Sequence, residues 1–350
     1  MTAPTTSRPA VRRLPVLGDR LARPAAPAAP DGRFAWLVTG ACTWILVGLF
    51  VDGWFHIHDP GLESFFTPWH ALLYSGIGAA IVVHLLELRR AGGLRPGYGL
   101  SLAGGLLVCL AGVVDMVWHT VLGVEADLDA LLSPPHLLLI TAGTLVFAGP
   151  VRAAVRSGTA GMPAALCAAY VVTGLAFFTQ YANPFTHLYP VEGYPPVDGG
   201  AVTVVGPDLV ELRQVAGVAG VVVFALLVGG AVALLRSLDG LPAGGVAVAV
   251  VVPVAFLVPL RGTLFLLPAA VVAGLLAEAL RGRLGPAALA AASCALLTTG
   301  WVLSLVVARD VAWTVELLTG SIGSAAAAGY LAGWLVQAGA AQRPGAHRQA

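Results

Sequence analysis

The sequence predicts an all-α, polytopic integral membrane helical bundle of about ten transmembrane helices, with N and C termini cytoplasmic. Three observations carry that expectation. Of 350 residues, 58% are hydrophobic and only 11% charged, against about a quarter charged in soluble domains. The apolar residues gather into ten runs, each near the ~20 residues that cross a bilayer core. The segments between those runs are alternately basic and acidic, the pattern that orients a membrane chain. A mean hydropathy of +0.85 agrees. No concentrated basic patch is present, so no nucleic acid is expected as a partner and the lipid bilayer is the expected surroundings.

Residues 1–33 are rich in Ala, Pro and Thr, carry Arg8, Arg12, Arg13, Arg20, Arg23 and Arg33, and show no period. They read as a disordered basic cytoplasmic tail rather than a signal peptide, because no small-residue cleavage site closes the apolar run that follows. Spanning-length runs then occupy 34–57, 66–88, 97–121, 133–154, 162–182, 207–235, 243–260, 263–280, 286–308 and 311–337. Pro253, Pro259 and Pro268 interrupt the seventh and eighth. Arg89, Arg90, Arg95, Arg152, Arg156, Arg236, Arg281 and Arg283 fall on the side of the basic tail. Asp59, Glu63, Glu125, Asp127, Asp129, Glu192 and Asp198 fall on the other. By the positive-inside rule the acidic loops face outward, which expects a plasma-membrane protein.

The organisation expected from this is a metal-site helical half at 34–182, an extracytoplasmic loop at 183–206, apolar scaffold helices at 207–338 and a disordered tail at 339–350. The scaffold is dense in Gly and Ala, which lets membrane helices approach closely. Cys42, Cys109, Cys167 and Cys294 sit singly in apolar runs, so they read as small core residues and not as a thiolate metal site or a disulfide framework. Trp54, Trp69, Trp118 and Trp313 read as an outer aromatic belt.

Two stretches break the apolar pattern, 52–70 and 115–136. Asp52, His56, Gly61, Glu63, Pro68 and His70 recur in order as Asp115, His119, Gly123, Glu125, Pro135 and His136, which reads as an internal repeat of one hairpin. Ionisable groups at membrane depth are costly, so a duplicated set marks a functional site. Asp52 and His56 stand one helical turn apart, as do Asp115 and His119, which puts each pair on one face about 6 Å apart along the axis. Thr67-Pro68 and Ser133-Pro134 read as N-cap and first-turn residues, placing His70 and His136 at the same third position of their helices.

Two imidazoles and one carboxylate leave coordination positions open, as metal catalysis requires. Copper, zinc and iron all accept that ligand set. Asp52, His56, His70, Asp115, His119 and His136 are therefore the candidate metal ligands. Glu63 and Glu125 are the candidates for a further ligand or a proton-transfer role, the plainer reading being solvated loop acids. His58, His84 and His187 read as interfacial, helix-end and loop residues. A hydrogen-bonded Asp–His pair with no metal is the structural alternative for the clusters themselves.

Asp52-Gly-Trp-Phe-His56, Phe66-Thr67-Pro68-Trp69-His70 and Tyr74 resemble the C subunit of copper membrane monooxygenases, the particulate methane and ammonia monooxygenase family. Asp115-Met-Val-Trp118-His119 is similar to that family's Asp-x-x-Trp-His form. The second copy departs from the pattern with Ser-Pro-Pro-His and a wider gap. The resemblance implies that Asp52, His56 and His70 ligate copper. It also implies an oxidase or monooxygenase-like oxidoreductase component that takes a small or lipophilic substrate beside partner membrane subunits or in a homo-oligomer. Two alternatives from other classes are a copper or metal uptake, storage or delivery protein without catalysis, and a membrane-embedded zinc hydrolase with Glu63 or Glu125 as base.

Overall fold

The computed structural model describes residues 29, 31–59, 66–123, 127–191 and 207–341. The fold is all-helical: among the described residues there is no strand, only an isolated bridge between Thr159 and Asp239. In chain order the helices are α1 Arg33–His58, α2 Pro68–Ala91, α3 Gly99–Leu122, α4 Asp127–Leu132, α5 Pro134–Ser157 and α6 Met162–Phe178. Then come α7 Pro207–Arg236, α8 Gly245–Leu257, α9 Leu267–Leu280, α10 Pro286–Ala308 and α11 Val315–Ala341. Each of the ten apolar runs thus carries a helix, and six of these helices, α1, α2, α3, α5, α7 and α10, are long and apolar enough to cross a membrane. The tail up to residue 28, residues 192–206 of the loop expected to be extracytoplasmic and residues beyond 341 lie outside the described residues.

Local chemistry sets most boundaries. Thr67 caps α2, its hydroxyl accepting from the His70 amide at 3.2 Å, and Pro68 opens the first turn; a cap of this kind is worth about 1 kcal/mol. Gly92 and Gly158 end α2 and α5 in the left-handed region, where a residue without Cβ carries no steric cost. The α6 start is capped from a distance, Met162 N donating to Asp31 Oδ1 at 3.0 Å. The run 162–182 stays helical only to Phe178, after which tight turns carry the chain from Gln180 to His187. Likewise α11 starts at Val315 and not at 311, since Ala312 N donates to Pro190 O at 2.7 Å and ties that segment to the turns after α6. Pro259 lies in a 3₁₀ turn, Val258–Arg261, that ends the helical path of α8.

The α1–α2 and α3–α5 hairpins form one half of the molecule, touching through α2–α3 and α1–α5. Both are drawn tight by glycine. A Cβ on Gly48 of α1 would lie 2.6 Å from Leu73 Cα of α2, and one on Gly104 of α3 would lie 2.7 Å from Ala142 O of α5. Helix α6 packs on α1 and α5 and reaches α8, whose Val246, Ala249, Val250, Val254 and Leu257 are wholly buried. Helices α7, α10 and α11 pack on one another, with α9 between α8 and α10. Outward faces are apolar, as on α3, where Leu106, Leu110 and Val117 are exposed, a surface suited to lipid and not to water.

The cysteines are free. Cys42, Cys167 and Cys294 are buried as expected, Cys42 Sγ lying 4.0 Å from Val146 O and Cys167 Sγ 3.6 Å from Thr39 Oγ1, whereas Cys109 is on the apolar outside of α3. Trp313 does not stand in a belt: it is buried, edge-on to Trp301 at 6.4 Å and over Gly217.

Candidate metal centres

The first cluster joins the end of α1 to the start of α2. Asp52 and His56 face the same way, and the Thr67-Pro68 helix start swings His70 over them. His70 Nε2 stands 3.3 Å from Asp52 Oδ1 and His56 Nε2 stands 3.8 Å from Asp52 Oδ2, with the two rings 5.6 Å apart at 65°. Thr67 Oγ1 is 2.9 Å from His70 Nδ1. In the tautomer that leaves Nε2 free to ligate, Nδ1–H donates to that hydroxyl, the outer-shell contact that orients a ligating histidine.

The second cluster joins α3 to α5 in the same manner. His119 Nε2 is 3.3 Å and His136 Nε2 3.6 Å from Asp115 Oδ1, and the rings are 5.7 Å apart at 55°. Ser133 Oγ is 2.7 Å from His136 Nδ1, and His119 Nδ1 is 3.3 Å from the carbonyl of Gly123. The Ser133 hydroxyl makes no cap to its own helix, so its bond to the imidazole replaces the cap that Thr67 provides in α2.

Each trio presents three ligand atoms within 4.8 Å of one another, and so could hold a metal ion. The spacing suits one: ligands at about 2.0–2.1 Å around a tetrahedral ion stand roughly 3.3–3.4 Å apart. The carboxylates supply a second argument. Asp52 Oδ1 and Asp115 Oδ1 are buried and accept no hydrogen bond. Leaving a buried acceptor unmet costs about 1–3 kcal/mol, and more for a charged one, and a cation between carboxylate and imidazoles removes that cost.

The clusters are neighbours. Tyr74, one turn beyond His70, lies over Gly112 of α3, where a Cβ would come within 2.6 Å of its hydroxyl oxygen. Its ring is 6.5 Å from that of His70, and both carboxylates act on it electrostatically. His56 in turn lies in the field of His136, His119 and Asp115.

The structure therefore brings together all six expected ligands, in two trios. Glu63 and Glu125 lie outside the described residues. His58 stays out of the first cluster, stacked on Trp54 at 4.2 Å with Nδ1 2.8 Å from Trp54 O. His84 is buried toward the C-terminal end of α2, Nδ1 bonded to Ala80 O and its edge against Phe34. His187 stacks on Tyr189. What sequence reasoning missed is the second task of Thr67 and Ser133, each a hydroxyl three residues ahead of a histidine at a helix start.

The fold and these centres define a class: an all-helical protein of membrane type, carrying two Asp/His/His groups that could bind metal. Comparison of the chain with protein-family models, curated proteins and solved structures returned no match.

Proposed function

We propose that the protein is a multi-pass plasma-membrane metalloprotein of about ten crossings whose two Asp/His/His centres bind copper near the extracytoplasmic face and serve an oxidase or monooxygenase-like reaction. The observation that carries this reading is the matched convergence of two Nε2 atoms and one orphaned carboxylate oxygen in each hairpin. A two-imidazole, one-carboxylate set leaves room for an exogenous ligand, unlike a closed structural site. The resemblance of 52–74 to the copper membrane monooxygenase C subunit favours copper among the metals this set accepts.

When bound, copper would supply one-electron exchange and an open position for dioxygen. The chain's own residues do the rest. Thr67 and Ser133 set the direction of the His70 and His136 rings through their Nδ1 contacts. Asp52 and Asp115 offset the positive charge in a low-dielectric setting, where a buried unpaired cation is strongly unfavourable. The lipid-facing apolar walls of α3 offer a lipophilic substrate a path along the bilayer.

Metal analysis and EPR on purified protein test the reading, with wild type beside an Asp52→Ala, His56→Ala, His70→Ala variant. Two copper ions per chain are expected in wild type and one in the variant, with loss of one Cu(II) signal. Sub-stoichiometric metal unchanged by the triple substitution would remove the site. Zinc with no Cu(II) signal after oxidation would replace the oxidase by a hydrolase.

A further inference from the structure

Although matched in composition, the two trios differ in how firmly they hold their ligands. Resting on the metal-binding reading above, we propose that they divide the work: the Asp115, His119, His136 centre retains its ion, and the Asp52, His56, His70 centre exchanges it, with His56 as the ligand that lets go.

Burial supplies the first support. The Asp115 side chain is 3% exposed and that of Asp52 12%; His119 is 11% exposed and its counterpart His56 35%. Geometry supplies the second. In the Asp115 trio both imidazoles converge on one carboxylate oxygen, at 3.3 and 3.6 Å. In the Asp52 trio they divide between the two oxygens, and His56 is the farther at 3.8 Å. Restraint supplies the third. His119, His136 and His70 each have Nδ1 held, by Gly123 O, Ser133 Oγ and Thr67 Oγ1. Among the described residues His56 has no such contact: its neighbours are Asp52 and the His70 ring.

One comparison runs the other way, His136 being 25% exposed against 15% for His70. It does not reverse the ranking, because His136 also has the shortest of the three Nδ1 contacts, 2.7 Å to Ser133. An ion leaves by losing ligands one at a time, so the least restrained ligand sets the rate. That ligand is His56, in the last turn of α1 and the most exposed of the four histidines.

The test loads the purified full-length protein with Cu²⁺ in lipid nanodiscs and follows transfer of copper to excess EDTA. Two phases of equal amplitude are expected, separated at least about tenfold, the scale on which outer-shell contacts alter metal affinity. His56→Ala with His70→Ala should abolish the fast phase only, and His119→Ala with His136→Ala the slow phase only. Ser133→Ala removes one oxygen and leaves the helix intact, so it keeps the test decisive if a double variant fails to fold. It should speed the slow phase about tenfold and leave the fast phase alone. A single phase, or a fast phase that belongs to the Asp115 centre, would overturn the division of labour while leaving metal binding in place. Wild-type protein that retains no copper would overturn the metal-binding reading itself.

Discussion

At the scale of the residue, the centres depend on atoms that are absent as much as on those present. Gly112 gives the Tyr74 hydroxyl its place, and Tyr74 stands between the two trios. Gly112→Val would put a side chain where the hydroxyl lies and push α2 away from α3. Overpacking of this kind costs about 1–3 kcal/mol, so a lower apparent melting temperature is expected in detergent, with reduced copper content. An unchanged melting temperature would show that Tyr74 has room to move. Residue identity was the most legible part of the site. Asp, His and His in an apolar chain stand out because lipid makes such groups expensive, and the one-turn spacing of Asp52 with His56 fixes their common face. The Nδ1 contacts were hidden, since a Ser or Thr before a proline at a helix start is already explained by capping.

At the scale of the element, hydropathy located apolar helices among the described residues, six of them long enough to cross a membrane, while their ends followed contacts that no local pattern reports. After the stop of α6 at Phe178 the chain is held in turns by bonds such as that from the Thr186 hydroxyl to Gln180 O, and the late start of α11 depends on the bond from Ala312 N to Pro190 O. The short α4, Asp127–Leu132, has too few residues to show a period. The best example of a distant cap is Glu278 in α9. Its Oε2 accepts from Val246 N at 2.9 Å and Ala247 N at 3.3 Å, closing the start of α8, and its Oε1 pairs with Arg281 at 3.2 Å. Arg281 also donates to the carbonyls of Leu241 and Pro242. Glu278→Ala should cost about 1.5–3 kcal/mol, the range for hydrogen bonds to a charged group. Faster amide exchange at Val246 and Ala247 by mass spectrometry is the readout. Glu278→Gln, which keeps an acceptor, should lose less. Equal exchange in all three proteins would refute the cap.

At the scale of the whole molecule, the acidic and basic loops give the expected orientation its content. Asp59 at the end of α1 and Arg90 near the end of α2 are both exposed and lie at opposite ends of the first hairpin. On the orientation proposed, Asp59→Cys reacts with an impermeant maleimide on intact cells, and Arg90→Cys reacts only after permeabilisation. The opposite result would invert the protein and move both centres to the cytoplasmic face. Helices α8 and α9 bear on the same question. They contain 13 and 14 residues and, with the 3₁₀ turns continuous with them, run over Gly245–Arg261 and Leu264–Leu280, about 27 Å each, just short of a hydrocarbon core of about 30 Å. A chain that dips in and returns on one side contributes no net crossing, so converting this pair into a re-entrant loop changes the tally by two. On the ten-crossing proposal parity is then conserved: both ends of the polypeptide stay in one compartment, and the hairpins that carry the trios, being earlier in the chain, keep their sidedness however that pair is threaded.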